Sequence, residues 1–165
     1  ELLLMLAYEP ILILVFVGFA MCTGSFSIAA VFQLEQPLLL KMPLLFQALG
    51  YALTIKLRKS PFDIAASHHG HQELVRGVQT EYSGPYLGLI EIAHWLDLVL
   101  ILGLCAMFWH TSVVGMAVLV GASLFTEILI DNITARLTWQ WMVQKKSLLL
   151  GMGLALVNLL WLYVA

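Results

Sequence analysis

The amino-acid sequence predicts an all-α, polytopic transmembrane helical protein. Of its 165 residues, 61% are hydrophobic and only 11% are charged, and the mean hydropathy is +0.93. Such a composition cannot cover a soluble globule with a polar shell. Several apolar stretches reach the length of about 20 residues that a helix needs to cross the hydrocarbon core. We therefore expect residues 1–165 to form a single membrane domain of about five spans, surrounded by the lipid bilayer.

The first two spans are predicted at about residues 10–32 and 38–57. We place Pro10 at the opening turn of the first span, where its missing N–H costs nothing. A polar hairpin separates the two spans, and Pro43 should kink the second span or mark its start.

The remaining spans are predicted at about 85–109, 113–133 and 147–164, with a short polar turn after the third. Two polar loops, 58–84 and 134–146, separate the other spans. The sequence begins with neither a Met nor a basic leader, so we expect no signal peptide and expect this chain to be the C-terminal part of a longer subunit.

Basic residues predict the orientation. Seven of the eight Lys and Arg residues lie in the two polar loops and their flanks, and the eighth is Lys41. Because cytoplasmic loops are enriched in Lys and Arg, we expect both loops to face the cytoplasm and the protein to be a multi-pass component of the inner membrane. The net charge of -2 and the scattered basic residues do not favour nucleic-acid binding.

The 58–84 loop is the longest polar segment. Ser60, Pro61 and Asp63 are typical of a helix start, so Asp63 is either a capping residue or a participant in chemistry. The three histidines of the HHGH run lack a nearby thiol or carboxylate at a metal-ligand spacing, so we predict no metal site. We assign partner docking to Lys56, Arg58, Lys59, His68, His69, His71, Arg76 and Arg136.

Ionisable residues within the spans indicate function more strongly than the loop residues do. Each costs at least about 2.5 to 3.5 kcal/mol at a helix centre unless it is paired or hydrated. Glu91, His94 and Asp97 recur at three-residue spacing and share one helix face. Glu127 and Asp131, four residues apart, share another. These residues either carry protons or, for Asp97 and Asp131 above all, join helices as structural polar contacts.

Several motifs resemble a known family. PFD, QELVRG, TEYSG, EIAHW, the early YEP and DNITARLTWQW are similar to the membrane subunit that docks the peripheral arm in the complex I family, the NADH dehydrogenase subunit 1-like subunit. The run RKSPFDIAASHHGHQELVRGVQTEYSGPY more narrowly resembles its counterpart in energy-converting [NiFe]-hydrogenases, including formate hydrogenlyase.

The resemblance implies a hydrated path of carboxylates below the peripheral arm. Glu9, Asp63, Glu73 and Glu81 match acidic positions of the family and join the ionisable residues of the spans as coupling candidates. The chain departs from quinone-reducing relatives at three places: Lys56 stands at the Glu of ETNR, IAASHHGH replaces LPEAE, and His94 replaces a third-span glutamate. We expect Lys56 to compensate a nearby carboxylate such as Glu9 or Asp63, and we infer an electron acceptor other than quinone.

The sequence therefore predicts a membrane anchor of an energy-converting hydrogenase, without a catalytic or redox centre of its own, that couples redox chemistry to proton or sodium movement. The resemblance implies partner subunits: the hydrogenase large and small subunits with the [NiFe] centre, an iron–sulfur subunit with its clusters, and antiporter-like membrane subunits. One alternative is the quinone-site subunit of a complex I-type NADH:quinone oxidoreductase. Another is a secondary transporter, although the inverted repeats typical of that class are not visible.

Overall fold

The computed structural model describes residues 2–57, 82–134 and 147–164, and within these ranges the chain forms helices and no strand. The helices are α1 (Leu2–Thr23), α2 (Ile28–Val31), α3 (Leu38–Lys41), α4 (Pro43–Lys56), α5 (Pro85–Met107), α6 (Val113–Ile133) and α7 (Ser147–Val164). Helices α5 and α6 are long and apolar enough to cross a membrane, and shorter apolar stretches lie in α1 and α7. The count of five spans stays a prediction.

Helix α1 corrects the prediction for the first span. It begins at Leu2 instead of Pro10, and Pro10 lies inside it, because the apolar residues before the proline continue the helix. An internal proline is tolerated where neighbouring groups satisfy the carbonyl that it frees. The helix ends at Thr23, after which Gly24 adopts a positive φ of 69°, a conformation that glycine supplies at helix ends. The predicted span 10–32 is therefore a long helix followed by the separate helix α2.

The second predicted span is broken near its start, with Met42 between α3 and α4 and Pro43 at the first position of α4. This agrees with the expectation that Pro43 marks a start. Asn158 of α7 bridges the break: its Oδ1 accepts from the main-chain N–H of Leu45 at 3.0 Å, and its Nδ2 donates to the carbonyl of Lys41 at 3.4 Å. The buried amide thus satisfies main-chain groups that an interrupted helix leaves open.

The apolar core lies where α1, α4 and α7 pack against one another. It is built from fully buried aliphatic side chains such as Ile11 and Val15 of α1 and Leu49 and Leu53 of α4. Phe108, directly after α5, is also fully buried, and its ring centroid lies 5.2 Å from those of Phe19 and Phe46. The end of α5 is therefore anchored in the same core.

A short turn, 108–112, connects α5 to α6. The carbonyl of Phe108 accepts from the N–H of Leu39 at 3.0 Å, and Nε2 of His110 lies 2.9 Å from the carbonyl of Leu34. Ser112 caps α6 by accepting from the N–H of Gly115. These contacts tie the turn to the segment that leads into α3.

Helix bounds agree closely with three of the predicted spans: α5 ends two residues before the predicted limit of 109, and α6 and α7 coincide with 113–133 and 147–164. The predicted cytoplasmic loops fall almost entirely on residues 58–81 and 135–146, which lie outside the described ranges. Their side of the membrane remains a prediction.

Candidate functional site

Helix α4 contacts all the longer helices described here, since it packs against α1, α5, α6 and α7. Its last turn carries two polar side chains, Thr54 and Lys56. Each reaches a carboxylate on a different neighbouring helix. The end of α4 is therefore the place where two of the carboxylates of the apolar helices meet.

The first of these carboxylates is Glu127 of α6. Its side chain is buried, with an exposed fraction of 6%, and its Oε1 lies 3.0 Å from Oγ1 of Thr54. The buried residues of α6 are both polar, Glu127 and Ser123 one turn earlier, whereas the apolar Phe125 is 64% exposed. The two buried side chains of this helix are thus polar, while most of its apolar side chains are exposed, the arrangement expected of a helix surrounded by lipid.

The second carboxylate is Asp97 of α5. Nζ of Lys56 lies 2.6 Å from its Oδ2, and the two side chains are 16% and 50% exposed. The same ammonium group lies 4.7 Å from the ring centroid of Tyr8 on α1, a distance at which the ring face attracts a cation. Lys56 thus joins α1, α4 and α5 through its charge.

Lys56 does pair with a carboxylate, but with one that the sequence had not suggested. We expected it to compensate a nearby carboxylate such as Glu9 or Asp63, and its partner in the structure is Asp97. Glu9 is exposed on α1, and Asp63 lies outside the described residues. The Asp97 partner fits the interpretation of this residue as a polar contact between helices.

The other coupling candidates are more scattered. Glu91 is exposed on α5, while His94 and Asp131 are half-buried on α5 and α6. Glu91, His94 and Asp97 do follow one another along α5, but only Asp97 reaches the end of α4. Outside the described ranges lie Asp63, Glu73, Glu81, Arg58, Lys59, His68, His69, His71, Arg76 and Arg136, whose predicted roles stay predictions.

Sequence reasoning missed the partners of these charged groups. Thr54, Tyr8 and the bridging Asn158 were not singled out. A usable signal existed for Asn158, because it is a lone amide in the middle of an apolar helix. Within the described ranges, no three metal-ligating side chains come together, and Cys22 and Cys105 are free thiols. The HHGH run cannot be assessed from these ranges.

Comparison with known proteins identifies the family. A family model described as NADH dehydrogenase matches residues 1–163, nearly the whole chain. The chain belongs to the NADH dehydrogenase family. Membership confirms the broader of the two resemblances found in the sequence. No solved structure matches the chain.

Individual relatives of this family agree. The chain is 32% identical over 99 residues to an NADH-quinone oxidoreductase subunit of Syntrophotalea carbinolica, covering 59% of this chain and 29% of the relative. It is 30% identical over 112 residues to an NADH-quinone oxidoreductase subunit of Syntrophobacter fumaroxidans, covering 64% and 33%. It is 30% identical over 124 residues to NADH-ubiquinone oxidoreductase chain 1 of Branchiostoma lanceolatum, covering 71% and 38%. The chain thus spans about a third of the length of these relatives.

Proposed function

We propose that this chain is a membrane subunit of a complex I-type oxidoreductase, in which it anchors the electron-transferring arm and couples electron transfer to ion movement across the inner membrane. The observation that carries the proposal is the family match over residues 1–163. Relatives named as subunits of NADH-quinone oxidoreductases support NADH and quinone as the substrates of the whole complex. In this proposal the chain itself holds no redox centre.

The contacts at the end of α4 support a coupling role. A buried carboxylate in an apolar helix costs free energy unless it is paired or hydrated, and ionisable residues at such positions commonly mark ion paths. Glu127 and Asp97 both meet α4 immediately before the polar loop in which we place the docking surface. A displacement of that loop by the arm would be passed first to the last turn of α4.

The proposal is tested on the intact complex. We expect a tagged form of this chain to copurify with redox subunits and the preparation to reduce a water-soluble quinone at the expense of NADH, in a reaction blocked by a quinone-site inhibitor. A chain that purifies without redox subunits would contradict the proposal. A complex that lacks inhibitor-sensitive quinone reduction would contradict its quinone part.

A second candidate is the energy-converting [NiFe]-hydrogenase membrane subunit. One observation favours it: Lys56, at the position where the resemblance places a glutamate in quinone-reducing relatives, forms an ion pair with Asp97. A cation therefore stands where those relatives carry an acid. The HHGH run of the loop supports the same candidate, because it belongs to the narrower resemblance.

The same preparation separates the two candidates. The hydrogenase candidate predicts H₂ evolution or oxidation without quinone, together with copurified nickel–iron and iron–sulfur subunits. It also predicts that His69→Ala weakens docking of those subunits without removing a metal from this chain. Quinone-dependent activity in the absence of any H₂ chemistry would exclude it.

A further inference from the structure

The turn that joins α5 to α6 carries a buried histidine. His110 is 7% exposed, and its Nε2 lies 2.9 Å from the main-chain carbonyl of Leu34, in the segment before α3. A carbonyl can only accept, so Nε2 must carry a proton and donate it to Leu34. In the neutral ring Nδ1 is then the nitrogen without a proton. Nδ1 is buried too, and it has no hydrogen-bond partner among the residues that the structure describes.

These surroundings accommodate the neutral ring better than the imidazolium ion. A second proton would make Nδ1 a buried donor without an acceptor and would place a charge away from water, and both are costly. The ring of Phe32 stands edge-on to His110 with the centroids 6.4 Å apart, beyond the distance of about 6 Å within which an aromatic face attracts a cation. The contact with Leu34 therefore depends on an uncharged His110.

The other titratable groups around the turn do not compensate such a charge. The segment that packs against the turn carries Glu35 and Lys41, both exposed. The end of α1 carries the thiol of Cys22, and the end of α5 carries the buried thiol of Cys105. Within residues 2–57, 82–134 and 147–164, His110 forms no ion pair with any of these groups.

We propose that the contact between His110 and Leu34 is a pH-sensitive latch between the 108–112 turn and the segment that leads into α3. The latch is closed while His110 is neutral. Transfer of one proton from water to Nδ1 opens it, because the imidazolium ion then turns toward water. The turn follows a helix of 23 residues that begins at Pro85, so at 1.5 Å per residue it lies roughly 35 Å from the 58–84 loop. The latch responds to acidity at the end of the helices opposite that loop.

Opening of the latch changes how α5 and α6 are held against the other helices. Next to His110, the carbonyl of Phe108 accepts from the main-chain N–H of Leu39 at 3.0 Å. Without the contact between His110 and Leu34, this neighbouring bond should break more often. The inference goes beyond the proposed function and does not rest on it, since it needs only the turn and the segment against which the turn packs.

Hydrogen exchange of the intact purified complex, followed by mass spectrometry, tests the latch at the Leu39 amide. Rates are compared at about pH 8 and about pH 5.5 after correction for the intrinsic effect of pH on exchange. A histidine in water titrates near about pH 6.5, so a proton that binds only the open form should lower the protection of Leu39 about tenfold between these buffers. The latch thus stabilises the contact fully at alkaline pH and loses its effect as the pH falls. The buried amides of Leu49 and Leu53 in α4 are the internal reference and should keep their protection.

Variants assign the change to His110. The amide of His110→Gln can donate to Leu34 in place of Nε2 but does not titrate, so protection of Leu39 should stay at its alkaline value in both buffers. Glu35→Gln, which removes the carboxyl next to Leu34 in the chain, is the matched control and should retain the tenfold change. If His110→Gln fails to assemble, His110→Phe keeps a ring and also removes the titration. Wild-type protection that is independent of pH, or a change that persists in either variant of His110, would overturn the proposal.

Discussion

Helices α1, α4 and α7 differ from the pair α5 and α6 in what they bury. The first group interlocks through fully buried aliphatic residues, including Ile11, Leu49 and Ala155. In α5 only three of its 23 residues are buried, and they lie near its C-terminal end. In α6 the buried residues are the polar Ser123 and Glu127. The first group is held by apolar packing, α5 joins that core only near its C-terminal end, and α6 buries only polar residues.

This difference suggests that the packed helices determine stability and that the polar contacts serve function. Close apolar packing fixes helix positions and is sensitive to the loss or gain of a single methyl group. Helices that expose apolar residues are suited to lipid or to further membrane helices, and we propose that their inward polar groups take part in coupling. We therefore expect substitutions in the packed group to affect the free energy of unfolding and substitutions at the polar contacts to affect coupling.

The largest expected effect comes from Phe108→Ala. The ring is fully buried between Phe19 and Phe46, so its removal should lower the free energy of unfolding by about 3–5 kcal/mol. Phe125→Ala, the control, removes a ring that is largely exposed on α6 and should cost little. Reversible unfolding in mixed detergent measures both. Equal losses for the two variants would remove the distinction between the two regions.

The next largest loss of stability is expected when Asn158, which bridges α7 and the start of α4, is replaced. Asn158→Ala leaves the buried N–H of Leu45 without its acceptor, which should cost about 1–3 kcal/mol. Leu160→Ala, at an exposed position of the same helix, is the control. The same unfolding assay applies. An Asn158→Ala variant as stable as this control would mean that the break in the helix needs no partner.

Alanine substitutions at two glycines should change the stability of the protein in opposite directions. A Cβ added at Gly18 of α1 would lie 2.5 Å from Cδ2 of Leu45, whereas one added at Gly121 of α6 meets nothing within 4 Å. Gly18→Ala should therefore lose about 1 kcal/mol or more through overpacking. Gly121→Ala should gain up to about 1 kcal/mol through helix propensity. Melting temperatures in one detergent compare the two, and a stabilised Gly18→Ala would contradict the close packing of α1 against α4.

The smallest effect on stability is expected for Lys56→Met. In the proposed coupling site the half-exposed Asp97 is hydrated, and loss of an ion pair in water should cost only about 0.2–1 kcal/mol, well below the cost of at least about 2.5–3.5 kcal/mol for an unpaired carboxylate in hydrocarbon. Its influence should fall instead on activity, since the ion pair joins α5 to the end of α4. The double variant Lys56→Met with Asp97→Asn should recover part of any loss by removing the unpaired carboxylate. A loss of several kcal/mol in Lys56→Met would place the pair among the structural contacts.

The sequence predicted the helix limits best where residues that start or cap a helix border the apolar run. Pro85 opens α5 and Ser112 caps α6, so local chemistry set those limits. It was wrong at α1, because proline at a helix start and proline inside a long apolar helix look alike in one sequence. The sequence also did not show that Asn158 of α7 supplies hydrogen-bond partners at the break between α3 and α4, next to Pro43.

The site could be predicted only in part. Unusual carboxylates within apolar runs were visible, and Asp97 and Glu127 do meet α4. Their partners depend on which faces of separate helices come together, and the sequence does not state this. For that reason Asp97 was not named as the partner of Lys56, and the hydroxyl of Thr54 carried no signal of its own.

The most direct measurement is the number of ions moved per electron pair in vesicles that contain the reconstituted complex. The account predicts that Glu127→Gln assembles with wild-type stability, continues redox turnover and loses most ion movement, while Glu35→Gln keeps the wild-type ratio. The amide preserves the contact with Thr54 but cannot release a proton. An assembled Glu127→Gln complex with the wild-type ratio would show that the polar contacts of α6 are structural and would contradict the division between the two regions.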